Sequence, residues 1–338
     1  MPANWPLVWR GLCSGFRIDR QARCSYTSAP NKNSGNYVLY THQGWLVDLL
    51  DRRWEGGAAS REVVMPIVDF HFHVTTADEY APWFLDWMSP VVNGTPEEYL
   101  HRVLDTPESM REYLDEQGID YAVCLAETNP LTTGVSTNNR VAEFCQSSHR
   151  LIPFANINPY VSPDPVSELM RCVESGHRGL KLYPVYQYFY PNDRRLYRLY
   201  EKTQDIGLPV MFHTGSSSFP GARLKYGDPI YLDDVAVDFP HLTIIMAHGG
   251  RGFWYDRAFF LTRLHKHVHI EITGLPPQNL LIYFPELEKV ADKVIFGSDW
   301  PAVTDIAANI ASIRSLPLAD EAKDMILGGN AARLLGLP

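Results

Sequence analysis

Two histidines one residue apart, in the stretch IVDFHFHV at residues 67–74, raise the first chemical question. On a strand, residues i and i+2 point to the same face, so His71 and His73 project together from an apolar, β-rich run. Such a pair is either two satisfied core histidines or part of a metal site, because neutral imidazole is the commonest protein ligand for zinc-like ions. Further along, other apolar runs end the same way. VMFH closes on His213, IIMAH on His248 and VIFGSD on Asp299, while Lys181 sits in GLKLYP. Titratable groups at the ends of buried strands are costly unless they are paired or hold a metal. Histidines 101, 149, 177, 241, 265 and 267 fall in helical or linking segments and read as surface residues.

The elements that must position these groups alternate regularly from residue 64 onward. Strand-like runs are VMPIVDFHF, DYAVCLAE, LIPFANINP, RGLKLYP, LPVMFHTG, LTIIMAHGG, VHIEITG and KVIFGSDWP. They are short, rich in Val, Ile and Leu, and bounded by Gly, Pro or Asn, as buried parallel strands are. Helical segments such as PEEYLHRVLDTPESMREYLDEQG, NNRVAEFCQSSH, DPVSELMRCVESG and DRRLYRLYEKTQDIG separate them. Eight strand–helix units predict an α/β fold of the (β/α)8 TIM-barrel kind, over residues 64–338. A doubly wound open sheet is the alternative, but no Gly-rich dinucleotide loop follows the first strand. A parallel barrel carries its chemistry at the C-terminal ends of its strands, where the groups named above would gather.

Residues 1–63 read as an accessory or poorly structured extension. CSYTSAPNKNSGN and RWEGGAASRE are turn-rich or linker-like, and THQGWLVDLLDRRW between them could form one short amphipathic helix. The arginines of the first 30 residues against the single acid Asp19 faintly resemble an organelle transit peptide. The five cysteines, Cys13, Cys24, Cys124, Cys145 and Cys172, are scattered and odd in number, which fits free thiols and a cytoplasmic, reducing setting. A net charge of −9 speaks against a nucleic-acid partner. No apolar run reaches membrane-spanning length.

The ordered motifs DFHFH, KLYP, FHTG, AHGG, FGSDWP and GGNAARLL resemble the amidohydrolase superfamily, from about residue 65 to the C-terminus. The branch they resemble most is the amidohydrolase-related one that includes aminocarboxymuconate-semialdehyde decarboxylase. The resemblance implies one divalent metal, usually zinc with manganese as the alternative, held by His71, His73, His213 and Asp299. It implies that His248 stands beside the water as base or orienting group, and that Asp299 takes a proton. A small-molecule substrate follows from it, and a homodimer is a reasonable expectation for the branch. For Lys181 it leaves three readings: a free lysine steadying a substrate oxygen, a carboxylated bridge between two metals, or a side chain that snorkels to the rim.

Both hydrolases and decarboxylases occur in that branch. The stretch after the first strand, VTTADEYAPWFLDWMSPVVNGT, has no Lys or Arg to grip a carboxylate, as the resembled decarboxylases would require. It offers Trp83, Phe84, Trp87 and Met88, which would either wall an apolar or aromatic substrate or pack the loop against the barrel mouth. Arg251, directly after AHGG, is a candidate contact for a substrate carboxylate or carbonyl. The expectation is therefore a metal-dependent hydrolase of an ester, lactone or amide, with a decarboxylase as the alternative. A non-catalytic binding barrel stands third, because fold alone never proves activity.

Overall fold

The computed structural model describes residues 65–338, together with the backbone of two short strands in the N-terminal extension, Ser28–Pro30 and Tyr37–Leu39. By its contacts the chain divides into units Met1–Glu62 and Val63–Pro338. In the first unit the two strands pair antiparallel, Ser28 opposite Leu39, so part of the stretch read as turn-rich is a strand. The expected amphipathic helix at residues 41–54 lies outside the described residues, as do Cys13 and Cys24.

In the second unit all eight expected strands form: β1 Val68–His73, β2 Tyr121–Leu125, β3 Leu151–Asn156, β4 Leu180–Leu182, β5 Val210–His213, β6 Ile244–Ala247, β7 Val268–Glu271 and β8 Val294–Ile295. They are parallel and lie in sequence order across one sheet. Regular pairing in β8 ends after Ile295, yet the chain beyond it closes the barrel on β1. The Phe70 amide donates to the Phe296 carbonyl, the Asp299 amide to the His71 carbonyl and the His73 amide to the Trp300 carbonyl, each at 3.0 Å. The fold is a (β/α)8 barrel.

Alternation along the strands sorts inside from outside. Val123, Leu125, Ile152, Phe154, Met211 and Ile245 form an interior cluster with Val68 and Phe70, to which the C-terminal helix Asn330–Leu335 adds Ala331 and Leu335. The alternate residues, including Phe72, Cys124, Phe212 and Met246, join the larger cluster beneath the helices. In β1 the pairing register shifts between Asp69 and Phe72. That irregularity changes the phase of the alternation, so Phe70 packs in the interior while His71 and His73 also turn inward above it.

Helices begin where the residue types permit. Thr95, Thr106 and Asp164 each cap a helix through the side chain, and each is followed by proline in the first turn. This explains one difference from the sequence reading. The run from Pro96 to Gly118 is two helices, Pro96–Leu104 and Pro107–Gln117, because Pro107 cannot continue a helix and Thr106 caps the next one. Cys124, Cys145 and Cys172 are free and buried. No helix among the described residues is long and apolar enough to cross a membrane.

Candidate active site

The strand ends bring most of the candidate residues to one small cavity that opens to solvent. His71, His73, His213, His248, Arg251 and Asp299 all line it, with Tyr80, Phe84, Tyr183, Tyr186 and Phe219 as aromatic walls. Two of the polar groups hang on strained backbone. His248 has φ 66° and Asp299 φ 69°. The left-handed region costs a non-glycine residue about 1–2 kcal/mol, and such strain concentrates at functional sites. Glycine makes room beside them: a Cβ on Gly274 would lie 2.8 Å from Arg251 Nη1 and 2.9 Å from Asp299 Oδ2.

Asp299 is the hub. Its Oδ1 lies 3.3 Å from His71 Nε2 and 3.6 Å from His73 Nε2. Its Oδ2 lies 3.8 Å from Arg251 Nη1 and 4.0 Å from His248 Nδ1. Burial opposes its charge, but the hydrogen bond from His73 and the Arg251 cation hold its carboxyl below the usual range. Burial likewise opposes a charge on His73, and there the Asp299 and Glu127 carboxylates prevail, holding its pKa at about 9. Burial is the main cause that holds His71, His213 and His248 well below an ordinary histidine, with Lys181 assisting at His71 and His213 and Arg251 at His248. These three imidazoles are neutral at pH 7.

Neutrality allows the proton positions to be traced. His248 Nδ1 is 3.1 Å from the Thr273 carbonyl, which can only accept, so Nδ1 carries the proton. His248 Nε2 is then an acceptor, and it takes the proton of His213 Nδ1 at 3.2 Å. His213 Nε2 is left with a lone pair, buried and without any partner. By distance alone the tightest set of ligand atoms, within 4.8 Å of one another, comes from His71, His248 and Asp299. Proton tracing separates the histidines differently, because both nitrogens of His248 are engaged while His213 offers a free one.

A divalent cation fits this donor set. His71 and His73 turn Nε2 toward Asp299, His213 has an orphaned Nε2, and the carboxylate completes three nitrogens and one oxygen, a combination suited to zinc-like ions.

Other candidates stand elsewhere. Lys181 is wholly buried and does not line the cavity. Its Nζ lies 3.4 Å from His71 Nε2 and 3.3 Å from Met211 Sδ, beneath the histidine. Burial lowers its pKa to about 8. Trp83 and Trp87 also miss the cavity. They pack behind its wall on Phe219, with ring centroids 5.2 and 5.1 Å away, because in the helix Pro82–Met88 it is Phe84 that faces inward. His177 is buried, its Nδ1 2.9 Å from the Cys172 carbonyl, rather than a surface residue. Arg251 does line the cavity, with Nε and Nη2 on the Ser216 carbonyl at 3.3 and 3.2 Å.

Sequence reasoning passed over two buried carboxylates. Glu271, the last residue of β7, puts Oε2 3.0 Å from His71 Nδ1. Glu127, just beyond β2, puts Oε1 3.6 Å from His73 Nδ1. The strand-end rule that found His213 would have found both.

A (β/α)8 barrel with clustered imidazoles and carboxylates at its C-terminal strand ends defines the class of metal-assisted barrel enzymes. The chain belongs to the amidohydrolase family, whose family model matches residues 68–337, and it is an enzyme of that superfamily. Among solved structures it is similar to an uncharacterised TIM-barrel protein from Bordetella bronchiseptica, at 23% identity and TM-score 0.67, covering 80% of this chain and 98% of that one. It is similar to a probable 2-pyrone-4,6-dicarboxylic acid hydrolase from Acinetobacter baumannii, at 18% identity and TM-score 0.57, covering 81% and 100%. A dihydroxybenzoic acid decarboxylase from Polaromonas, with bound manganese and the inhibitor 2-nitroresorcinol, aligns at 17% identity and TM-score 0.59, covering 80% and 97%. These likenesses show the shared fold. No curated protein matches the chain.

Proposed function

We propose that the protein is a metal-dependent hydrolase of a small ester, lactone or amide with a planar or aromatic body. The observation that carries this reading is the placement of Asp299, an ionised carboxylate between His71, His73 and Arg251 at the floor of an aromatic-walled cavity. His71, His73, His213 and Asp299 would hold one divalent ion, zinc by the nitrogen-rich donor set, with manganese as the alternative. Such an ion acidifies water and polarises a carbonyl oxygen.

The side chains supply the rest. Asp299 accepts the proton of the attacking water and returns it to the leaving group. His248, its Nδ1 4.0 Å from Asp299 Oδ2, would orient the water or steady the substrate oxygen by exchanging one of its present partners, the Thr273 carbonyl or His213 Nδ1. Arg251, anchored on Ser216, keeps Nη1 for Asp299 and a substrate oxygen. Tyr80, Phe84, Tyr186 and Phe219 exclude water and stack on the planar body.

Arg251 also favours a second reading, non-oxidative decarboxylation of a small aromatic acid, since among the cavity-lining residues it is the cationic group able to grip a carboxylate. The loop after β1 contributes Tyr80 and Phe84 to the cavity and no cation, which argues for hydrolysis. Residues 64–338 would form the catalytic domain, acting on a small molecule. The test is a screen of lactones, esters, amides and aromatic carboxylates on metal-loaded enzyme, following acid release and carbon dioxide release in parallel. Carbon dioxide evolution without hydrolysis of any ester, lactone or amide would reverse the order of the two readings.

A further inference from the structure

We propose that Glu127 and Glu271 are the positioning residues of the HxH pair, each fixing one histidine so that its Nε2 turns to the metal centre; the proposal rests on the divalent-ion reading above. The arrangement is similar on the two sides, hydrogen-bonded at His71 and a longer charge contact at His73. His71 Nδ1 faces both oxygens of Glu271, at 3.1 and 3.0 Å. His73 Nδ1 faces Glu127 Oε1 at 3.6 Å. The opposite nitrogens, His71 Nε2 and His73 Nε2, converge on Asp299 Oδ1 at 3.3 and 3.6 Å. A carboxylate accepts, so each favours a proton on Nδ1 of its histidine; His71 then keeps a lone pair on Nε2, while on His73 an ion would take the place of the Nε2 proton now shared with Asp299.

Both carboxylates are held in place by the rest of the barrel. Glu127 Oε1 accepts from Thr75 Oγ1 at 2.7 Å, and Oε2 accepts from Thr133 Oγ1 at 2.6 Å and Asn129 Nδ2 at 3.1 Å. What remains of its acceptor capacity is a lone pair on Oε1, the atom facing His73. Glu271 sits in a slot made by the absence of a side chain at Gly297, where a Cβ would come within 2.5 Å of Oε1. Burying two such carboxylates has a desolvation cost that packing alone does not explain. Orienting two metal ligands does explain it.

The test uses the full-length protein stripped of metal, with Zn²⁺ affinity measured by competition with a chromophoric chelator and the ion-free melting temperature recorded beside it. Glu271→Gln keeps the shape but loses the charge, and is expected to weaken Zn²⁺ binding roughly 10–100-fold. Glu127→Gln should weaken it by a smaller factor, because its contact with His73 is longer. A merely structural role predicts a lower ion-free melting temperature with Zn²⁺ affinity unchanged, and affinity within about twofold of wild type in both folded variants overturns the proposal. Should Glu271→Gln fail to fold, Glu127→Gln alone decides it. Wild-type protein that binds no Zn²⁺ overturns both this proposal and the metal reading. Tight wild-type binding with no hydrolysis in the substrate screen refutes only the proposed reaction.

Discussion

Replacing Gly297 by alanine adds one methyl group at a crowded point behind the site. The new Cβ would stand 2.5 Å from Glu271 Oε1, 2.8 Å from His71 Cβ and 3.1 Å from Thr273 Oγ1. Ordinary contact begins at 3.4 Å, so Glu271 must retreat by about 0.9 Å or β8 must move away from β7. If the whole carboxyl group retreats by that much, directly away from the ring, its 3.1 and 3.0 Å contacts with His71 Nδ1 lengthen to roughly 4 Å, beyond hydrogen-bonding range. Overpacking of a tight core costs about 1–3 kcal/mol, and a hydrogen bond to a buried charged group about 1.5–3 kcal/mol. Gly297→Ala should therefore lower the stability of the ion-free protein by about 3 kcal/mol, within a factor of two, and weaken metal binding along with it. Urea unfolding of the stripped protein gives the first quantity and chelator competition the second. A variant within about 0.5 kcal/mol of wild type, with unaltered metal affinity, would mean that the slot is slack and the close approach carries no function.

His213 and His248 should separate by assay. His248→Ala is expected to keep near-stoichiometric metal while turnover falls by about 10²–10⁴, whereas His213→Ala loses the metal itself; equal metal loss in both would contradict the proton tracing. Lys181→Met should retain about one metal per chain by elemental analysis, since Nζ lies beneath His71 and outside the cavity; two metals in the wild type, or an adduct of carbon dioxide on this lysine, would contradict it. Burial lowers His269 to about 3 against the ordinary histidine value of 6.5. Its folded-state pKa is depressed, so the stability it allows is whole above pH 6.5 and falls from there toward pH 3, by about 1.4 kcal/mol per pH unit. His269→Asn should flatten the loss of urea stability between pH 7 and 5, and an unchanged slope would exclude His269 as a source. Removing residues 1–63 should leave metal content unchanged, because every strand-end ligand lies beyond them; loss of metal would make the extension a working part of the site.

Much of the barrel is legible in local pattern. Short apolar runs closed by glycine or proline mark buried parallel strands, and their polar last residues mark the site, because both signals depend on neighbours in sequence. Where local pattern was silent, the tertiary structure decided. Whether an aromatic side chain faces the cavity depends on which side of a short helix meets the barrel mouth, so Phe84 lines it while Trp83 and Trp87 stand behind. Lys181 is the middle residue of β4, and its Nζ meets His71 and Met211 instead of lining the cavity. The phase change in β1 is invisible in IVDFHFHV, since a register shift is a relation between two strands. The order of the strands that carry His71, His73, His213 and Asp299 to one cavity is legible in the sequence. Which nitrogen of each histidine is free, and which carboxylate stands behind it, follows only from hydrogen bonds between residues as far apart as His71 and Glu271, brought within 3.0 Å by closure of the barrel.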